Sequence, residues 1–228
     1  MTPLNSSGLL LLMQLSSPAL PVGGFSYSEG IESAVDAGWI VDENSASEWI
    51  CDQLKLSLSR GDLSVLAQAV PAWKTFDKKR LMELNDWVLS TRESSETRLQ
   101  TEQMGRSLVE WIKNQELVEH DKLDFLIALS PTWPLSFALV IAPLDIEVKD
   151  CLLAYAFSWA ENIVQASIKT VPLGQKSGQR ILATLRQKIP EAVEYALTLS
   201  DNDRQTFTPG LAILCANHET QYSRLFRS

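Results

Sequence analysis

The sequence is short of the residues that most chemistry needs. Its 228 residues include three cysteines and two histidines. Cys51, Cys151 and Cys215 are far apart and form no CxxC pair, which excludes a disulfide framework and predicts reduced thiols. With only His120 and His218 available, a serine or cysteine nucleophile has few bases to serve it. There is no excess of positive charge either: 20 lysines and arginines face 28 acids, a net charge of -8. That balance repels phosphate backbones and argues against nucleic acid as a partner. No apolar run reaches membrane-spanning length, so no membrane partner is expected. The run Leu9-Leu10-Leu11-Leu12-Met13 is short and has no basic start, which makes a poor secretion signal and predicts a cytoplasmic protein.

Two catalytic motifs are approached and missed. Gly174-Gln175-Lys176-Ser177 ends like a phosphate-binding loop, but Lys169 stands where the first glycine belongs. Gly24-Phe25-Ser26-Tyr27-Ser28 has serine where a nucleophile elbow needs its second glycine, and no strand precedes it.

What is present is helical periodicity. Hydrophobic residues make up 45% of the chain, and they recur mostly at three-four spacing, which predicts an all-α protein. The first helix is expected from Asn5 or Ser6 to just before Pro18. Residues 17–25, with two prolines and a double glycine, cannot be helical. Ser26 with Glu29, and Ser45 with Glu48, read as capping boxes that open the second and third helices. Gly38 closes the second, and Gly61 closes the third after Arg60. Further helices are expected over 62–70, 77–89, 94–113, 121–129, 134–141, 146–170, 177–188, 190–199 and 209–219, with a polar loop over 200–208. The expectation is a single compact domain of about ten helices over 1–228, with a tail at 219–228.

Several residues have two readings. Glu29, Glu32 and Asp36 form an acidic stripe on the expected second helix, and spacing alone favours a solvated face. Glu96 with Gln100 and Arg98 with Glu102 read as local pairs on a surface helix. Lys169 ends the long helix, where a cation offsets exposed carbonyls. Cys215 and His218 share a helical face, yet two ligands do not close a metal site, so they are weak metal candidates. The tail mixes Tyr222, Leu225 and Phe226 with Arg224 and Arg227, a composition enriched at interface hot spots and equally consistent with a tail folded back on its own helices.

Four segments together resemble a known family. Residues 17–32 (Ser-Pro-Ala-Leu-Pro-Val-Gly-Gly-Phe-Ser-Tyr-Ser-Glu-Gly-Ile-Glu) are similar to the N-terminal signature of the UreF family of urease accessory proteins. Glu96-Thr97-Arg98 with Met104-Gly105-Arg106, Lys169 to Gln175 with Gly178-Gln179-Arg180, and His218 through residues 222–228 resemble its later blocks. The resemblance implies an all-α homodimer that is not an enzyme and holds no cofactor firmly. Its partners would be UreD (UreH in some systems), the GTPase UreG and apo-urease, with nickel as the delivered metal. Residues implied at partner surfaces are Pro21, Gly23, Gly24, Phe25, Tyr27, Glu29, Glu32, Lys169, Gln175, Arg180, Tyr222, Arg224, Leu225, Phe226 and Arg227. The Pro-Gly loop and Glu29 would also be candidates for a nickel path. Competing readings are a small hydrolase with paired carboxylates, a stand-alone nickel-binding protein using Cys215 and His218, and a GTPase activator using Arg98, Arg180 or Arg224.

Overall fold

A computed structural model describes residues 6–115 and 117–227; Asn5, as a start for the first helix, and Ser228 lie outside them. Among the described residues there are eleven α-helices and no strands, joined into one compact domain. In order they are α1 (Ser6–Leu15), α2 (Ile31–Asp36), α3 (Glu43–Gln53), α4 (Asp62–Thr75), α5 (Lys78–Ser90), α6 (Ser95–Lys113), α7 (His120–Ala128), α8 (Trp133–Ile141), α9 (Val148–Thr170), α10 (Gln175–Thr198) and α11 (Pro209–His218). Among these residues no helix is long and apolar enough to cross a membrane.

The centre is α8, an apolar helix with every residue buried. A helix that is hydrophobic all round must be surrounded, and α4, α5, α6 and α7 all pack against α8. Trp73 of α4 donates its indole N–H to the Leu135 carbonyl at 3.0 Å, so the largest ring in this interface leaves no polar atom unpaired. Phe137 meets Tyr155 of α9 edge-on, with ring centroids 5.1 Å apart. Outside this centre α10 runs along α9 and presents a stripe of Ile181, Leu185, Ile189, Val193 and Ala196.

Helix ends follow local chemistry, sometimes not the residues first expected. Ser94 caps α6 with a reciprocal bond to Thr97, and Asp77 caps α5. The third helix opens one turn earlier than Ser45 suggests: Asp42 is its cap, and Ser45 supplies the returning bond. The second helix is much shorter than expected. Gly24–Ser26 form a 3-10 turn, Tyr27 is extended, and Glu29 (φ 49) and Gly30 (φ 82) both lie at positive φ before α2 begins. Glu29 is therefore not helical, and the expected acidic stripe does not exist. Gly38 (φ 73) does end the helical run, as expected.

The two helices expected around Pro190 are one, α10. Pro190 is exposed while the buried stripe continues past it, so burial outweighs a proline cost of about 3 kcal/mol. Likewise α4 continues through Pro71 to Thr75. Between α3 and α4 lies a π-helical turn, Leu54–Leu58, closed by the Ser59 N–H donating to the Leu54 carbonyl at 3.0 Å.

Candidate functional site

The acids of two helices converge on one histidine. His218, at the end of α11, is fully buried. Its Nδ1 lies 2.7 Å from Glu96 Oε2 on α6, and its Nε2 lies 3.2 Å from Glu32 Oε2 on α2. Both carboxylate side chains are only 11% exposed. Only an imidazolium can donate at both nitrogens; a neutral ring would turn one lone pair toward a carboxylate.

The same two carboxylates hold the tail. Glu32 accepts from the successive backbone N–H groups of Leu225 (2.7 Å) and Phe226 (2.9 Å). Glu96 accepts from the Arg224 guanidinium at 2.6 Å. The Arg227 N–H donates to the Ser26 carbonyl at 2.9 Å, which ties the tail to the Pro-Gly segment. Phe226 is buried, with the Lys169 ammonium 5.6 Å from its ring centroid. Tyr222 is fully exposed and Leu225 is 62% exposed, so both of these side chains face outward while Phe226 faces in. Glu96 thus turns its carboxylate to the tail and His218, while Arg98 and Glu102 pair along α6 at 3.1 Å.

Beneath this clasp, the Pro-Gly segment closes over the interior. Gly24 lies so close to α9 that a Cβ there would sit 2.7 Å from the Asn162 amide nitrogen, so a side chain at this position would have to displace the Asn162 amide. Tyr27 is buried and donates its hydroxyl to Gln103 at 2.6 Å; burial raises its phenol, against the pull of Arg227 and Arg106. Pro21 and Phe25 are exposed on the outer side of the same loop, and Gly23 turns it at φ 77.

Glu29 faces inward, into a polar chamber of about 110 Å³. Its carboxylate accepts from Gln100 Nε2 (2.7 Å) and from the Trp159 indole (2.8 Å). Gln53 fixes its backbone by donating to its carbonyl at 3.1 Å. Burial pushes the Glu29 carboxyl up, and the hydrogen bonds from Trp159 and Gln100 oppose this only in part. Across the chamber Asp62 pairs with Arg92 at 2.5 Å and accepts from the Tyr155 hydroxyl at 2.9 Å. Burial, then the Asp62 charge, push the Tyr155 phenol well above its ordinary value. The chamber has room for several waters, which its polar lining can hydrogen-bond.

The structure brings together Gly24, Tyr27, Glu29, Glu32, Lys169, His218 and the tail residues Arg224 to Arg227. It does not bring Arg180 there: that guanidinium forms two bonds with Glu43 of α3 and holds its carboxyl down at about 2. Gln175 is exposed at the start of α10. Cys215 and His218 have different surroundings. His218 has both nitrogens engaged by carboxylates, while Cys215 lines the chamber with its thiol pushed up to about 12 by burial. Among the described residues no group of three or more His, Cys, Asp or Glu side chains could hold a metal ion. Asp62, Arg92, Gln103, Tyr155 and Trp159 escape the sequence reading. Asp62, directly after Gly61, and Tyr155 and Trp159, on the apolar stripe of α9, occupy positions that draw attention.

Comparison with known proteins points the same way over nearly the whole chain. The UreF family model matches residues 40–186. The urease accessory protein UreF of Polaromonas sp. (strain JS666 / ATCC BAA-500) is 56% identical over 225 residues, covering 99% of this chain and 97% of that protein. That of Methylibium petroleiphilum is 57% identical over 228 residues, covering 99% and 96%. That of Paracidovorax citrulli is 56% identical over 228 residues, covering 99% and 91%.

Proposed function

The chain belongs to the UreF family of urease accessory proteins, and from that premise we propose that it is a non-catalytic adaptor and gate in urease maturation. In this reading it works as a cytoplasmic homodimer and binds UreD (or UreH) and the GTPase UreG. It couples GTP hydrolysis to the delivery of nickel into apo-urease. Nickel is the cargo of the assembly, and the Glu29 chamber and its Pro-Gly cover are candidates for the surface it passes.

One observation supports this reading above the rest. The arginine-aromatic tail is held by charged hydrogen bonds to Glu32 and Glu96 and buries a single large apolar side chain, Phe226. A segment held this way can exchange its contacts for those of a partner without disturbing the helical core. Its exposed Tyr222 and Leu225 are free to contribute buried area on docking. His218 supports the non-catalytic part, because a ring with both nitrogens on carboxylates is not available as a base for a hydroxyl.

The test is deletion of residues 221–228. UreD should no longer be recovered in a pull-down, while far-ultraviolet circular dichroism stays unchanged; recovery of UreD with the shortened protein overturns the tail's role. In cells with a full urease operon, loss of this gene should leave urease nickel-poor and inactive at limiting nickel. Unchanged activity there overturns the accessory function as a whole.

A further inference from the structure

Apart from the clasp, the protein exposes large apolar side chains where α3 meets the segment leading into α11. Phe207 is 72% exposed and Trp39 is 54% exposed. Trp39 stands edge-on to Trp49 with centroids 6.0 Å apart, and a Cβ on Gly210 would lie 3.6 Å from its ring, so it is braced against both helices. Between them runs a groove of about 290 Å³ lined by Trp49, Leu56, Phe207, Pro209 and Leu211. Leu56 belongs to the π-helical turn after α3, where the wider helical turn leaves this leucine partly in water.

The edge of the groove is acidic. Asp52 lines it, and Glu48 precedes Asp52 by one turn of α3; both are exposed. Asp36 and Asp42 flank Trp39 and Val41. Among the ion pairs of the described residues none involves these four carboxylates, whereas Glu43 on the same helix is matched by Arg180. Arg60 at the far end of the groove lies over the Tyr195 ring at 5.9 Å. An apolar trough with an unmatched acidic rail is complementary to one kind of surface: a helix with apolar residues at i, i+3, i+4 and i+7 and cations along one flank.

We propose that this groove is the docking site for a cationic amphipathic helix of a partner protein, its apolar face on Trp49, Leu56 and Phe207 and its cations against Glu48 and Asp52. This rests on the reading of the chain as an adaptor and adds to it a second contact surface, separate from the tail. A second copy of the chain is not the occupant. Its exposed apolar helix, α1, has no charged residue at all, so it leaves the acidic rail unmatched, and its arginine-aromatic tail is not helical over residues 221–227.

The experiment places a photo-reactive benzoylphenylalanine at Phe207 of the full chain, and separately at Tyr222. Each is expressed with the complete urease operon, irradiated, and analysed by peptide mass spectrometry. Position 207 should couple to a lysine- or arginine-bearing helical segment of another protein. The double variant E48K/D52K should lower that yield about tenfold while leaving the yield at position 222 and the melting curve unchanged. Coupling to a second copy, to an acidic or non-helical segment, or to nothing overturns the proposal, as does a yield indifferent to the charge reversal. If position 222 couples and position 207 does not, only the groove assignment falls; if both are silent, the adaptor reading falls with it.

Discussion

Around α8 the chain is held by ring against ring: Trp133, Phe137 and Tyr155 have centroids 5.1 to 5.9 Å apart, and every residue of the helix is buried. Around His218 it is held by two carboxylates that collect a histidine, an arginine and two backbone N–H groups, with Phe226 as the tail's buried anchor. The first kind of contact has no substitute in water, because separating the rings exposes apolar surface. The second has one, since each donor and acceptor of the clasp can bond water or another protein at small net cost. Permanence in one region and exchangeability in the other follow from that difference.

The comparison is most severely tested in the core. Phe137→Ala should cost about 3–5 kcal/mol in denaturant unfolding, because a ring-sized void remains among side chains that cannot close it. A loss as large from a clasp variant would erase the distinction. Glu32→Ala should cost less, about 1–3 kcal/mol, mainly by leaving donors of the tail and His218 without an acceptor. Hydrogen exchange should then show fast exchange of the Leu225 and Phe226 amides, with α4, α8 and α9 protected as before.

A third region sharpens the contrast, because the chamber is a cavity lined by polar groups, whereas the core is packed ring on ring and the partners of the clasp touch directly. The Glu29 carboxyl is raised in the folded protein, so between the unfolded value near 4.5 and its higher folded value the native state binds more protons than the unfolded one. Stability contributed by this group is present below pH 4.5 and declines as pH rises through that window. Glu29→Gln should remove this component of the pH dependence, measured by urea midpoints across pH 4 to 8. The smallest effect is at the surface. Glu43 should titrate at about 2 by carboxyl NMR, and Arg180→Ala should return it toward 4.5 without a measurable change in melting temperature.

Helix number and most boundaries were legible because they depend on spacing and caps that the sequence states openly. Ser94, Asp77, Gly61 and Pro209 each stand at an end that the structure keeps. Pro190 misled because its cost is local, while the compensating stripe from Ile181 to Ala196 is tertiary. Ser26 with Glu29 misled for a deeper reason. The spacing of a capping box is satisfied, yet Gln100, Trp159 and Gln53, all distant in sequence, draw Glu29 inward and impose a conformation its neighbours do not prefer. The clasp was half legible: the tail's composition marked it, but nothing near Glu32 or Glu96 indicates that both acids turn toward one histidine.

Glu29 also sets a problem of selection. Positive φ suits glycine or asparagine, and holding glutamate there costs of the order of 1–3 kcal/mol. A search for thermal tolerance alone would favour Gly or Asn at position 29 wherever relief of this strain outweighs the hydrogen bonds from Gln100 and Trp159, and would then reward the loss of the chamber's carboxylate as an improvement. Libraries screened only for melting temperature should therefore admit such variants at this codon, and the proposed role of the chamber in nickel delivery predicts that they mature urease poorly. That pairing of higher endurance with lower fitness separates a residue retained for its chemistry from one retained for the fold.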